Sequence, residues 1–425
     1  MLLAAAFLFS GTVKLNDPLG TQYKIEDYAH AFGMASLIPA PVPLVMSVVL
    51  AMLEFCLGVF MFFGIHRWTI SRVMMLLLLL FTPLTFYLAL KNPVSDCGCF
   101  GDAWVLTNWQ TFWKNVVLLS AVIVVARYYK TVVRFITRRN QWLITLYTWM
   151  FALVFAIINI HGLPLIDFRP YHIGADILEK MGMNEDESAQ YQTYFIMEKD
   201  GVRREFTLED YPDSTWTFID SRTEILGGSQ ALPEIHDLEI VPVDGPAKGE
   251  DITADLLSDP AYKFLLVAPY LETADDGVMD RITAIHDYSL EHGYQFLCLT
   301  SSGEEAIAKW KDITAAEYPF CHVDAVTLKT MVRSNPGLML LQGSTVVNKW
   351  PSTRLPHEEE LSQPLDELPL AHPQVNSFMR RVLRILLWYL TPLLVWTLGD
   401  RLWVTWKMRN LHKYKVTNHL KEQEK

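Results

Sequence analysis

The chain has few cysteines, and other absences narrow its chemistry further. Five cysteines in 425 residues are too few for a disulfide scaffold. Two of them, Cys97 and Cys99, are close in sequence, but no second cluster of Cys or His with metal-ligand spacing lies near them. There is neither a pair of haem ligands nor a glycine-rich nucleotide-binding motif, so no bound cofactor is predicted. No basic face interleaved with exposed aromatic residues is expected, which argues against nucleic acid as a partner.

Apolar sequence, in contrast, is abundant. Hydrophobic residues make up 51% of the chain, the mean hydropathy is +0.17 and there are 13 Trp. A chain of this composition is too apolar to be one soluble globule throughout. The apolar residues concentrate in residues 1–160 and 382–406, whereas the middle is polar and acidic. We therefore expect a polytopic α-helical membrane bundle, with most of the net charge of -11 in one extramembrane domain.

Six apolar segments are candidates for membrane helices, since a span needs about 20 apolar residues. Residues 1–13 are shorter and lack both a basic n-region and a cleavage site, so we interpret them as a clipped or short first membrane helix. The other predicted spans are residues 41–65, 69–90, 109–126, 142–160 and 382–398. With six such segments, membrane lipid is an expected partner.

Lys and Arg in the short connections set the expected orientation. Arg67, Arg72 and the basic run at 127–139 place their connections inside, whereas the connection between the third and fourth spans holds only Lys91. That connection is therefore outside, which in a bacterial inner membrane is the periplasm, and residues 162–379 lie on the same side. Three arginines at the outer end of the last span argue for the opposite orientation: Arg380, Arg381 and Arg384.

The chain is organised around Cys97-Gly98-Cys99, two thiols one residue apart in that outer connection. Gly98 can relax the backbone enough for a disulfide, and so tight a ring is strained and easily reduced. We assign Cys97 and Cys99 as a redox-active pair, with two unpaired thiols or half of a metal site as alternatives. Glu54, inside the second span, is a third catalytic candidate, the alternative being a carboxyl group hydrogen-bonded to a neighbouring helix.

Residues 162–379 have the pattern of a mixed α/β domain. Asp200-Gly201 predicts a hairpin between residues 194–197 and 202–206. The prolines within 352–381 indicate an extended linker to the last span. From residue 234 onward, strands alternating with helices indicate a parallel core with an antiparallel edge. The expected elements are strands 236–243, 263–268 and 294–299, helices 278–290, 304–312 and 327–333, and a closing hairpin of 336–341 with 345–350.

The three remaining cysteines, Cys56, Cys298 and Cys321, sit in apolar runs and are expected to be packed thiols. A disulfide or an exchange role stays open for Cys298 and Cys321.

Several stretches of the first 130 residues occur together: Ser10-Gly11 with Lys14, Asp17-Pro18-Leu19-Gly20, Glu54 with Gly58, and Cys97-Gly98-Cys99-Phe100-Gly101 leading into Asn108 and Asn115. In these stretches the chain resembles the DoxX-like and MauE-like group of four-helix membrane proteins. The resemblance implies a redox-associated membrane bundle, similar to proteins linked to disulfide formation or to quinone-coupled electron transfer.

Asn335-Pro336 ahead of an apolar strand is a second informative feature. With the element order of residues 234–351, it resembles a thioredoxin-like domain of the TlpA type, in which this proline would follow a cis bond. That family would place Cys-x-x-Cys after the strand at 263–268, and here Ala268-Pro269-Tyr270-Leu271 stands without a thiol. The resemblance therefore implies a degenerate domain that cannot run dithiol exchange at that position.

These features divide the chain into six expected regions. They are a four-helix bundle (1–130), a basic cytoplasmic connection with a fifth membrane helix (131–161), a periplasmic β-rich segment (162–233), the degenerate thioredoxin-like domain (234–351), a linker (352–381), and a last membrane helix with a basic tail (382–425).

The leading hypothesis for function is thiol-disulfide or electron transfer in the cell envelope, with a periplasmic thiol or thioredoxin-like protein as partner. Two alternatives remain. The chain could be a non-catalytic envelope scaffold whose cysteines form a fixed bridge, or a subunit of a quinone-linked oxidase, although no sequence motif supports a quinone.

The orientation can be tested directly. A reporter fused after Asn140 should behave as cytoplasmic and one inserted near Gly245 as periplasmic, because positive charge is retained on the inner side of the membrane. Opposite labelling of the two sites would contradict both the orientation and the oxidising compartment inferred for Cys97 and Cys99.

Overall fold

The structure is a computed structural model. The stretches that it describes are residues 1–94, 97–182, 190–199, 202–206, 217–226, 233–372 and 378–423. The chain divides into two units. The helical unit comprises residues 1–169, 350–355 and 374–425, and the sheet unit comprises residues 170–349 and 356–373.

Helices build the first part of the helical unit. They are α1 (Leu2–Asn16), α2 (Pro18–Ala31), α3 (Pro41–Phe63), α4 (Arg67–Lys91), α5 (Asn108–Arg127) and α6 (Gln141–His161). Helix α2 starts where it does because Asp17 accepts a hydrogen bond from Gly20 N at 2.8 Å and Pro18 takes the first helical position. Helices α3 to α6 match the four central predicted spans to within two residues at each end, so these predictions are confirmed.

Two helix pairs form the body of this unit: α1 packs along α3, and α4 packs along α5. The first pair approaches closely because glycines stand at the contact. A Cβ on Gly11 would lie 2.3 Å from Phe55 N, and one on Gly58 would lie 2.6 Å from Leu8 N. This approach brings the polar side chains of α1 against the middle of α3.

The sheet unit contains two sheets and short helices. Its strands are β1 (Gln190–Lys199), β2 (Val202–Phe206), β3 (Thr217–Leu226), β4 (Val241–Pro242), β5 (Tyr262–Val267), β6 (Gln295–Thr300), β7 (Phe320–His322), β8 (Gly337–Gln342) and β9 (Thr345–Pro351). Its helices are α7 (Ile177–Lys180), α8 (Thr253–Ser258), α9 (Met279–His292), α10 (Glu304–Thr314) and α11 (Ala325–Met331).

The smaller sheet has the order β2-β1-β3, with both neighbours antiparallel to β1. Lys199 pairs with Val202, which confirms the predicted hairpin, although Asp200-Gly201 itself lies outside the described residues. The larger sheet has the order β4-β7-β6-β5-β8-β9. Strands β5, β6 and β7 are parallel, whereas β8 is antiparallel to β5 and β4 to β7, so the predicted parallel core with an antiparallel edge is confirmed. The Asn335–Pro336 bond is cis, as predicted.

The strand predicted at 236–243 is wrong for most of its length, since only Val241–Pro242 pairs with a neighbour. The apolar pattern reflects burial rather than pairing, because Leu238 and Ile240 are buried without joining the sheet. The N–H of Ile240 bonds side chains instead, donating to Thr253 Oγ1 at 2.8 Å and Asp251 Oδ1 at 3.3 Å.

In place of the extended linker predicted within 352–381, residues 356–372 form short 3-10 turns packed on the sheet unit. Leu361, Leu365 and Leu368 are buried there, and Tyr288 Oη donates to Gln363 O at 2.7 Å. The prolines stop a regular helix from forming, but the leucines between them still bury apolar surface.

The last helix, α12 (Phe378–Gln423), belongs to the helical unit and is far longer than the predicted span 382–398. The polar residues after 398 lower the hydropathy but do not end a helix. Helix α1, at 15 residues, rises only about 22 Å, less than the ~30 Å of a bilayer core. Among the described residues, the helices long and apolar enough to cross a membrane are α3, α4, α5, α6 and the Met379–Asn410 part of α12.

Candidate functional site

The two cysteines lie in the connection between α4 and α5, and both are half-buried. Their Sγ atoms are 3.1 Å apart as free thiols, and a disulfide needs about 2.05 Å. Gly98 allows this approach because its φ of 65° lies in the left-handed region. The predicted proximity of the two thiols is therefore present. Among the described residues, no group of three or more His, Cys, Asp or Glu side chains could hold a metal ion.

Neighbouring helices hold this loop through its backbone. Tyr28 Oη of α2 donates to Cys97 O at 2.8 Å, and Ser10 Oγ of α1 lies 2.7 Å from Cys99 O. Asn108 at the start of α5 donates to Val94 O at 2.9 Å. Contacts from three helices thus hold the backbone at Val94, Cys97 and Cys99, which positions the two cysteines.

Glu54 lies inside the bundle, opposite α1. Lys14 Nζ is 2.7 Å from both Oε1 and Oε2 of Glu54, and Ser10 Oγ is 2.6 Å from Oε2. All three side chains are inside the pair formed by α1 and α3, because Ser10 and Lys14 are one helical turn apart. The carboxyl group is therefore hydrogen-bonded to a neighbouring helix, which was the alternative to a functional role at the sequence level.

Ser10 joins the two parts of the predicted site. Its hydroxyl contacts both the carboxylate of Glu54 and the carbonyl of Cys99, and Lys14 Nζ lies 3.2 Å from the same oxygen. Sequence reasoning assigned Glu54 and the cysteines but gave no role to Ser10 or Lys14. The available signal was the need of an intramembrane carboxylate for a cationic partner.

A cavity of about 120 Å³ connects these groups. A water molecule needs about 10–15 Å³ on this measure, so the cavity has room for a ligand of several atoms. Its polar wall holds Lys14, Glu54, both thiols and Lys114. The remaining wall is largely apolar and comes from α1 to α5. It includes Phe7, Ile25, Leu50, Leu77, Phe81 and Leu118.

The two thiols differ in acidity. A hydrogen bond from Cys97, helped by the positive charges of Lys114 and Lys14, lowers the pKa of Cys99 to about 6, although burial and Glu54 oppose the shift. The same hydrogen bond, together with burial, raises the pKa of Cys97. Cys99 is consequently the thiolate of the pair at neutral pH, and thiolates are the nucleophiles of disulfide exchange. The sequence alone gave no indication that Lys114 belongs to this site.

The other cysteines are buried, as predicted. Cys56 lies on α3, Cys298 on β6 and Cys321 on β7. Burial raises the pKa of Cys298, and it raises the pKa of Cys321 to about 11. Neither thiol of the sheet unit is therefore activated for exchange. After β5, the residues are Ala268 and Pro269, so no thiol stands there.

The acidity of Cys99 predicts its pH dependence. In the reduced protein, the rate of Cys99 alkylation by iodoacetamide should rise through about pH 6 and level off near pH 7, because the thiolate reacts. An ordinary thiol, with a pKa near 8.5, would still be rising there. Peptide mass spectrometry would follow each cysteine separately.

A charge variant and its control sharpen this test. Lys114→Gln should move the Cys99 midpoint to higher pH, since it removes a positive charge that favours the thiolate. Lys91→Gln, at the exposed end of α4, should leave the midpoint unchanged. A wild-type midpoint at pH 8 or above would contradict the assignment of Cys99 as the thiolate.

Comparisons with known proteins bear on the helical unit first. Residues 1–128 match the family model described as methylamine utilisation protein MauE. Residues 191–226 match a domain of unknown function, DUF8463. The comparisons with curated proteins and with solved structures give no match. Together, the MauE match and the apolar helices make the chain a multi-pass membrane protein whose N-terminal part is similar to MauE.

Proposed function

We propose that the chain is an inner-membrane redox protein in which Cys97 and Cys99 alternate between dithiol and disulfide while exchanging electrons with a partner protein. The observation that carries this proposal is the approach of the two Sγ atoms to 3.1 Å in a loop held by three helices. The lowered pKa of Cys99 supplies the nucleophile. The match of residues 1–128 to MauE supports a membrane setting for this chemistry.

The proposed reaction is thiol–disulfide exchange. The Cys99 thiolate attacks one sulfur of a partner disulfide, which forms a mixed disulfide and releases the partner's other sulfur. Cys97 then attacks Cys99 Sγ, so the Cys97–Cys99 bond forms and the partner leaves as a dithiol. Two electrons pass to the partner, with the proton of Cys97 and one proton from solvent. The reverse sequence oxidises a partner dithiol.

Glu54 has a supporting role in this proposal. Lys14 balances its charge, and Ser10 links the carboxylate to the backbone of Cys99. Lys14 thereby places a positive charge near the Cys99 thiolate, an effect that Glu54 partly opposes. The Glu54 carboxylate, which lines the same cavity as the thiols, would take up or release protons there.

The sheet unit is proposed to be thioredoxin-like and to bind or position the partner. Its support is the sheet order with β5 beside β6 and β8, and the cis Asn335–Pro336 bond before β8. Since no thiol follows β5, the unit would contribute recognition rather than exchange. The distribution of Lys and Arg supports a periplasmic location for the sheet unit and the cysteine loop, where a periplasmic thiol or thioredoxin-like protein would be met.

A quinone-linked function is the second candidate, and the cavity favours it. The cavity has largely apolar walls, is lined in part by α3, α4 and α5, which can cross a membrane, and includes both cysteines in its lining. A lipid-soluble quinone there would take two electrons from the reduced pair, with the proton of Cys97 and one proton from solvent, leaving the disulfide and a quinol. The third candidate, a non-catalytic scaffold, needs a disulfide that stays closed.

A trapping experiment tests the leading proposal. Substituting Cys97→Ser removes the resolving thiol, so Cys99 should accumulate in a mixed disulfide with a partner protein, visible as a reductant-sensitive band on a non-reducing gel. The bundle should stay folded, because a ring of this size restricts the unfolded chain little.

Two variants serve as controls. The double variant Cys97→Ser/Cys99→Ser should trap nothing, and Cys56→Ser, which changes a buried thiol on α3, should behave as the wild type. If Cys97→Ser instead lowered the protein level and trapped no partner, a structural Cys97–Cys99 disulfide in a non-catalytic scaffold protein would be favoured.

A further inference from the structure

One end of the helical unit is built from three segments that are far apart in sequence. They are the start of α4, the connection between α5 and α6, and a turn of α12. Arg67 Nη1 of α4 donates to Lys130 O at 2.9 Å and also bonds Val132 O. Arg401 Nη2 of α12 donates to Arg134 O at 2.8 Å.

Asp400 fixes the same connection to α12 from within. Its Oδ1 accepts from Thr137 Oγ1 at 2.8 Å and from Asn140 Nδ2 at 2.6 Å, while its Oδ2 accepts from Thr137 N at 3.0 Å. The side chain is buried, with 4% of its surface exposed. The carboxylate of Asp400 therefore bonds Thr137 and Asn140 inside the contact and does not lie on the protein surface.

The surface around this contact is strongly basic. Residues 64–72, 127–141 and 399–410 contain no acidic residue besides Asp400. The exposed cations of these segments, which we call the basic face, are Arg72, Arg127, Lys130, Arg134, Arg138, Arg139, Arg401, Lys407 and Arg409. The sequence alone predicted no basic face with interleaved aromatic residues. That prediction is wrong, because the three segments meet only in the fold.

Aromatic side chains lie among these cations. Trp68 is 52% exposed, and the Cζ atom of Arg72 lies 3.8 Å from the centroid of the Trp68 ring. Trp403 is 43% exposed, and the Nζ atom of Lys407 lies 5.1 Å from the centroid of the Trp403 ring. The ends of three apolar helices meet here, since α4 and α6 begin at this end and α5 ends there. Exposed Trp beside such ends is typical of the bilayer interface, so the cations lie at the level of lipid headgroups.

We propose that the basic face binds the headgroups of anionic phospholipids and that these lipids fasten α12 to the connection between α5 and α6. The phosphate oxygens of a headgroup match the guanidinium donors in charge and geometry. The occupant is a lipid rather than a nucleic acid, because the interleaved tryptophans flank apolar spans that a bilayer surrounds. The inference is independent of the chemistry proposed for Cys97 and Cys99.

Lipid retention tests this proposal on the full chain. The protein is equilibrated in micelles with equal amounts of phosphatidylglycerol and phosphatidylcholine, then repurified, and its bound lipid is measured by mass spectrometry. The wild type should retain phosphatidylglycerol at several times the bulk ratio in 50 mM salt. The excess should fall toward the bulk ratio in 0.5 M salt, where exposed charges are screened.

A charge-matched pair of variants locates the site. Phosphatidylglycerol should also raise the Tm of the wild type, because it binds the folded protein. Arg138→Gln/Arg139→Gln/Lys407→Gln should lose most of the enrichment and most of this rise in Tm. Lys248→Gln/Lys309→Gln/Arg354→Gln, three exposed cations outside the basic face, should keep both.

Equal retention of the two lipids by the wild type would overturn the proposal, and so would equal losses in the two triple variants. A rise in Tm with a single-stranded oligonucleotide but none with phosphatidylglycerol would also overturn it and would assign the basic face to nucleic acid. The salt series on the wild type needs no variant, so a poorly folded triple variant does not weaken the test.

Discussion

The helical unit depends on one buried ion pair, Lys14 with Glu54. Two charges inside apolar helices cost several kcal/mol each in desolvation unless they meet in good geometry. Here both carboxylate oxygens lie 2.7 Å from Nζ, and Ser10 adds a further hydrogen bond. The pair can form because Gly11 lets α1 lie directly against α3. Any displacement of α1 along α3 would therefore separate two largely buried charges, which is costly.

The cysteine loop inherits its position from this pair. Ser10, held by Glu54, reaches Cys99 O, and Tyr28 of the following helix holds Cys97 O. The loop is therefore held at the backbone carbonyls of both cysteines, and both residues line the cavity. Lys14 also contributes to the low pKa of Cys99, so one residue serves both the packing of α1 and the acidity of the thiolate. Stability and reactivity are coupled through the same contact.

The sequence predicted what depends on local pattern and missed what depends on distant contacts. The apolar runs of α3 to α6 and the buried strands β5 and β6 could be located, because period and length suffice for such elements. The length of α12 and the turns of 356–372 could not, since polarity and proline content do not reveal what a segment packs against. Cys97, Cys99 and Glu54 were accessible as candidates from their unusual settings. Lys114 was not, because its relation to Cys99 exists only in three dimensions, and a cationic partner for Glu54 could be expected without showing that it was Lys14.

The most direct test is the redox state of Cys97 and Cys99 in native membranes, read by labelling free thiols with a mass tag before and after mild reductant. For a redox cycle, both thiols should change together from protected to labelled, and they should revert when the reductant is replaced by a thiol oxidant such as diamide, while buried Cys56 stays unlabelled throughout. A pair that remains labelled without reductant, or one that stays protected until the protein is denatured, would contradict a redox cycle at this loop.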